Sequence, residues 1–362
     1  MKKFNTITLN SICLIAIIAL LFLAAGITQG AEKKIKLVSS TWLVSPPGFS
    51  SLDQKWFIDE VTKRTNGRIS FKQYWAAALV PAKEHLDAAK TGTIDLTRIC
   101  FLYWPSHFPL NALPYMFPFA NREPDMGQRV MRKMYREFPQ FEQEIAANNL
   151  KFISFQVWDD YALITRTAIR KMEDLKGLKI ALLGGMLTAV AKSNGAIPVV
   201  ISLDERYLQL KTGVIDGSLI AVDSMVSTHC HEVAKHLTIL GLGAYVPNCL
   251  AMNLDTWNKL STKDQKMMLD IGKEIEKRYT KQMFVNRQKY IQIMKDAGVE
   301  VYTLPQEERI KMGKQLPDLA AKWAQRMERK GYPAWKMVKR YKEIYAAEGH
   351  KWLPGQKIGE RP

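Results

Sequence analysis

The chain has 362 residues, 47% hydrophobic and 10% aromatic, with 52 Lys and Arg against 35 Asp and Glu for a net charge of +17. That length exceeds what one compact core holds, and the apolar content is enough to bury the cores of two lobes. The basic excess contains no dense run with interleaved aromatics, so it reads as a dispersed basic surface suited to anionic headgroups, with no nucleic-acid partner expected.

Residues 1–30 read as a secretory signal peptide. Lys2 and Lys3 supply the positive start, and Ile12 to Gly26 is an uncharged apolar run, shorter than the ~20 residues of a spanning helix. Small residues follow at Ala24, Ala25 and Gly26 and again at Gly30-Ala31, so cleavage is expected after Gly30, with the mature chain in the periplasm. Loss of Lys2 and Lys3 leaves 50 basic residues against 35 acidic ones. Cys100, Cys230 and Cys249 remain. Three cysteines cannot all pair, a Cys230–Cys249 bridge is not dictated by spacing, and buried thiols are expected.

Ile35 to Val38 alternates as a strand and runs through Ser39 to Trp42 into a Pro46-Pro47-Gly48 loop. Ser50 to Thr65 reads as an amphipathic helix with Leu52, Trp56, Phe57, Ile58 and Val61 on its apolar face. A strand is expected over Arg68 to Trp75, a helix near Pro81 to Lys90, and a strand over Ile94 to Ile99. Such alternation predicts a largely parallel sheet covered by helices. The pattern restarts with strands at Leu150–Val157, Tyr161–Thr165 and Leu178–Leu182, and a helix over Leu187–Ser193. A strand at Pro198–Ile201, a helix at Asp204–Lys211 and a strand entered at Asp216-Gly217 complete this second set. From Ser261 to Gly298 the sequence predicts a helix of about 35 residues, long enough at ~1.5 Å per residue to bridge two lobes. Leu353 to Pro362 reads as a frayed tail.

Several phrases in this order resemble the substrate-binding proteins of TRAP transporters, the C4-dicarboxylate-receptor type. They are Asn66-Gly67-Arg68-Ile69 with Tyr74, Thr91-Gly92-Thr93-Ile94-Asp95 and Leu113-Pro114-Tyr115, followed by Glu173 to Ile180 and Gly195-Ala196. Glu205-Arg206-Tyr207, Thr212 to Gly217 and Glu232 to Lys235 continue the match. The resemblance runs from about Ile35 to past residue 330. It implies two α/β lobes, joined by crossing strands and a long helix, that close on a small solute and deliver it to a membrane permease of the TRAP type. It also implies a division into residues 31–158 with 247–285, residues 159–246 with 286–345, and a tail of 346–362.

The pattern breaks where the family places an arginine on the ligand carboxylate. That position, directly after Ile180, is Ala181. A second arginine position falls on Tyr161, and an asparagine position on Ile220. Without a guanidinium fork a buried carboxylate lacks its partner, which disfavours a simple C4 dicarboxylate. The expected cleft residues are Trp42, Cys100, Phe101, Tyr161, Ala181, Ile220 and Asp223. That set suits a neutral or aromatic solute, with Asp223 available to an amine. Arg98, Arg166 and Arg170 are alternative sources of a replacement cation.

His229-Cys230-His231 lacks the partners of a tetrahedral metal set, and His231 stands where the family carries an aromatic packing residue. No nucleophile-elbow, zinc-protease or phosphate-loop motif is present, and no cofactor is expected. Asp159-Asp160 is an adjacent carboxylate pair whose side chains point apart. An exported hydrolase on the same two lobes, or a solute sensor signalling to a membrane partner, are the alternatives to a transport receptor.

Overall fold

The computed structural model describes residues 33–43, 51–120, 124–243 and 245–361. The expected signal peptide and the Pro46-Pro47-Gly48 loop lie outside them. Eleven strands are described: β1 (Ile35–Ser40), β2 (Ile69–Tyr74), β3 (Leu96–Cys100), β4 (Leu150–Trp158), β5 (Tyr161–Thr165), β6 (Lys179–Leu182), β7 (Ile197–Val200), β8 (Gly217–Ala221), β9 (His236–Ile239), β10 (Tyr245–Asn253) and β11 (Glu300–Thr303). They form a five-stranded sheet in the order β2-β1-β3-β10-β4 and a six-stranded sheet in the order β11-β9-β5-β8-β6-β7.

Each sheet is parallel except for one interior strand. β10 runs antiparallel to both β3 and β4 in the first sheet, and β5 runs antiparallel to β8 and β9 in the second. Those two strands are the ones that arrive from the other lobe, β5 directly after β4 and β10 directly after β9. Asp159 and Asp160 alone separate β4 from β5. The largely parallel sheets expected from sequence therefore each take in one strand of opposite sense.

The helices used below are α1 (Leu52–Arg64), α2 (Met186–Ser193), α3 (Arg206–Lys211), α4 (Val222–Ser227), α5 (Thr262–Asp296), α6 (Leu319–Glu328) and α7 (Ala334–Ala347). Helix α5 has 35 residues and spans roughly 50 Å at ~1.5 Å per residue. Ser261 caps it by accepting a hydrogen bond from the Asp264 amide at 3.1 Å. Its buried residues Met268, Ile271, Ile275, Tyr279 and Met283 pack into the first-lobe core, and Met294 into the second. The helix bridges the lobes.

Two assignments differ from expectation. Helices α6 and α7 bury Ala320, Trp323, Met327, Met337, Tyr341 and Tyr345 in the first-lobe core, although residues 286–345 were expected in the second lobe. After the bridging helix the chain returns across the molecule because the amphipathic faces of α6 and α7 fit the aromatic surface around Phe117, which stacks on Tyr341 at 4.6 Å. The tail is also held. Leu353 is buried, Gln356 Nε2 donates to the Pro118 carbonyl at 2.7 Å, and the Gly359 amide donates to Asp318 at 2.9 Å.

Candidate functional site

The end of β1 delivers Ser39, Ser40 and Thr41, all wholly buried, and then Trp42. The Trp42 ring meets His85 edge-on at 5.2 Å and Tyr103 at 5.6 Å. His85 is held by two contacts. Its Nδ1 donates to the Pro81 carbonyl at 3.0 Å, which leaves Nε2 to accept from the Ser40 hydroxyl at 3.2 Å. Burial lowers its pKa, in keeping with a neutral ring in that tautomer.

At the end of β3 the two neighbours part. Cys100 faces a buried cluster that joins residues of both lobes, whereas Phe101 turns into the first-lobe core and packs on Phe108 at 5.4 Å. Alternation of side chains along extended backbone separates them, so Phe101 does not join the other expected cleft residues. Burial pushes the Cys100 thiol up to about 12, which keeps it neutral. Cys100, Cys230 and Cys249 are all free and buried.

Tyr161 opens β5 as the first residue of the second sheet. Its hydroxyl lies 2.9 Å from that of Tyr115, and Tyr115 stacks on Tyr245 at 4.8 Å. These three wholly buried rings sit where the strands cross between lobes, and burial raises all three hydroxyls well above the usual range. Trp42, Cys100, Tyr161, Ala181 and Ile220 share one apolar cluster with Leu102 and Tyr115. Asp223, in the first turn of α4, is buried, and its charge is felt by Tyr161 and by Tyr279 of α5.

Ala181 is wholly buried on β6, and its partner across the strand pair is Ser218 of β8. Partners in register present their side chains on the same face of a sheet. On that face the Ser218 hydroxyl accepts a hydrogen bond from Arg206 Nη1 at 2.9 Å. The Arg206 guanidinium therefore lies beside Ala181, and it comes from helix α3. Nη2 donates to the Ile201 carbonyl at 3.3 Å, Nη1 makes a long 3.5 Å contact with the Leu219 carbonyl, and among the described residues Nε has no partner. Arg206 is wholly buried, and desolvation draws its pKa down to about 10.

None of the three arginines considered from sequence takes this role. Arg98 is wholly buried and ion-paired with Asp53 at 2.6 Å. Arg166 is exposed and packs across Gly213. Arg170 pairs with Glu300 and lies 4.5 Å over the Tyr302 ring. Arg206 was legible only as part of a family phrase. The usable signal is its spacing from Leu203 and Leu210, both buried, which puts Arg206 on the inward stripe of α3 while Leu208 is left 63% exposed.

In the His229–His231 segment, His229 Nδ1 contacts Glu232 at 2.7 Å, and His231 is buried with Nδ1 3.2 Å from the Met225 carbonyl. Among the described residues no group of three or more His, Cys, Asp or Glu could hold a metal, and no helix is long and apolar enough to cross a membrane.

Two sheets exchanging one strand each, with buried residues of both lobes gathered at the crossing, define a two-lobed binding-protein fold. The family model of bacterial extracellular solute-binding proteins, family 7, matches residues 44–326, and the chain belongs to this extracytoplasmic family of TRAP receptors. A C4-dicarboxylate-binding periplasmic protein of Rhodobacter capsulatus is 27% identical over 268 residues, which cover 70% of this chain and 76% of that protein. A TRAP solute-binding protein of Rhodoferax ferrireducens, solved with copurified benzoate, superimposes with a TM-score of 0.77 at 20% identity, over 87% of this chain and 99% of its own. One from Chromohalobacter salexigens, solved with D-glucuronate, gives 0.75 at 21% identity, over 86% and 99%.

Proposed function

We propose that this protein is an exported receptor that closes its two lobes on a small organic solute and delivers it, chemically unchanged, to a TRAP-type membrane permease. Family membership supports the class, and one observation carries the mechanism. Trp42 and Cys100 from one sheet share a buried cluster with Tyr161, Ala181 and Ile220 from the other, so a solute held there touches both lobes. Contacts available only when the lobes meet give a solute its preference for the closed form.

The solute is not a simple C4 dicarboxylate. Ala181, Tyr161 and Ile220 replace polar side chains at the family's ligand positions, and rings dominate what remains. A planar, aromatic body suits such a lining, and the structurally similar Rhodoferax ferrireducens protein was solved with copurified benzoate. Asp223 is the acidic group of this site and suits a solute without a second anionic end. Export follows from the leader expected over residues 1–30.

Thermal denaturation of the purified protein against a solute panel tests this reading. A solute at a hundred times its Kd adds roughly 2.7 kcal/mol of stability, readily seen as a raised midpoint. Aromatic solutes are expected to raise it, and succinate and malate to leave it unchanged. A shift with the dicarboxylates alone overturns the ligand class, and turnover of any bound solute overturns the receptor assignment.

A further inference from the structure

We infer that Arg206 is the anion anchor of this receptor, holding from helix α3 the single carboxylate of an aromatic or cyclic monocarboxylic acid. This deepens the receptor reading and rests on it, adding a residue and an acid to the site.

The first support is position. Ser218 is the register partner of Ala181 and accepts from Arg206 Nη1 at 2.9 Å, so the guanidinium occupies the sheet face where residue 181 offers only a methyl group. The second is electrostatic. A wholly buried guanidinium loses several kcal/mol of hydration and needs an anion or a full set of acceptors. Arg206 has a hydroxyl and two carbonyls, one of them at 3.5 Å, and among the described residues no carboxylate reaches ion-pair distance. Asp204, whose charge it feels, is exposed.

The third support is the kind of atoms left over. Arg206 Nε, Trp42 Nε1 and the Tyr103 hydroxyl are buried, and among the described residues none of them has an acceptor. The Trp42 and Tyr103 rings are in contact, and the Tyr103 hydroxyl feels the Arg206 charge. All three can donate. A carboxylate offers about four lone-pair sites, enough for such a set, where an amide or ketone oxygen offers two. The number of acidic groups follows from the remaining residues. Arg98 is committed to Asp53 and Cys100 is neutral. One anchor among aromatic and aliphatic side chains calls for one carboxylate on a ring.

The test uses the full chain purified after export, with matched pairs of acid and primary amide: benzoate and benzamide, phenylacetate and phenylacetamide, cyclohexanecarboxylate and its amide. Titration calorimetry and melting midpoints are read for the native protein, Arg206→Gln, Arg206→Lys and Tyr103→Phe. At least one acid is expected to bind on the order of 100-fold tighter than its amide. Arg206→Gln should lose that acid by at least about 30-fold while leaving the amide unchanged, and Arg206→Lys should restore part of the loss. Tyr103→Phe, partly exposed and the milder change, should weaken the acid several-fold. Equal binding of acid and amide by the native protein, or full acid affinity in a folded Arg206→Gln, overturns the anchor. If Arg206→Gln does not fold, the acid–amide ratio and Tyr103→Phe decide the matter. Binding of neutral solutes only removes the anchor and leaves the receptor standing; no binding by any solute, with none copurified, brings down the receptor reading itself.

Discussion

The Glu144 carboxyl is mostly buried and accepts from the amides of Leu110 at 2.8 Å and Asn111 at 3.0 Å and from Asn111 Nδ2 at 2.7 Å. These donors favour its ionised form, yet desolvation outweighs them and raises its pKa to about 7. A carboxyl that holds its proton longer when folded makes the folded state bind more protons between the unfolded value near 4.5 and 7. Stability contributed by this group is therefore full below about 4.5 and falls as pH rises towards 7, by up to about 3 kcal/mol. Asp160, raised to about 6 mainly by burial, acts in the same direction. Melting midpoints are expected to fall between pH 4.5 and 7, with a shallower slope in Glu144→Gln; an unchanged slope would assign the effect elsewhere. Single residues such as these were the least legible part of the sequence. Tyr161, Ala181 and Ile220 were aligned by a family pattern, and Trp42 and Cys100 were read from their places after the first and third strands; all five lie in one buried cluster. Phe101 could not be separated from Cys100 without knowing where extended backbone ends, and the spacing that puts Arg206 on the inward stripe of α3 does not show which strand its guanidinium meets.

Among elements, the bridging helix shows how one atom limits packing. Gly272 lies where α5 crosses the first sheet, and a Cβ there would stand 2.6 Å from the Ile153 carbonyl oxygen and 3.1 Å from Ile153 Cγ2. Alanine would add about 1 kcal/mol of helix propensity, but a contact that short forces helix and sheet apart. Gly272→Ala is expected to be destabilising by a net ~1–2 kcal/mol, lowering the urea midpoint at unchanged m; a raised midpoint would show that the helix can shift freely. Length and capping made this helix readable in advance, and strong periodicity did the same for β4, β5 and β8. The strands β9, β10 and β11 have no comparable signal in the sequence. β10 and β9 follow one another closely in different sheets, and nothing in local hydropathy marks the change of lobe.

At the scale of the molecule, the two crossings are tied to each other. Asp160, between β4 and β5, accepts from the Gly243 amide at 2.7 Å, and Gly243 lies between β9 and β10. Beside it, wholly buried Asp159 accepts from Arg287 Nε of α5 at 2.7 Å, so three of the connections between lobes, the two strand crossings and the bridging helix, meet in one polar joint. Asp160→Ala leaves the Gly243 amide without its acceptor and is expected to cost about 1–3 kcal/mol. Hydrogen exchange should quicken at residues 241–245 while the amides of β3 and β8 keep their protection; unaltered exchange there would mean the tie does not couple the crossings. The two-lobed plan itself was legible, since two α/β runs and one overlong helix leave few other arrangements. The return of α6 and α7 to the first lobe was not, because an amphipathic helix shows that it has an inward face and not which core receives it.

The strand exchange also sets an order of events when the chain first folds. β10 lies between β3 and β4, yet it is made roughly 90 residues after β4 ends. Until Asn253 is available, β3 and β4 are two open edges of an incomplete sheet, each able to pair with another chain. Closing that gap late pays a large loop-closure entropy before any ladder forms, which marks the protein as a slow folder of high contact order. A chain cut after β5 would keep every residue of the first α/β run and still be prone to associate with its own copies.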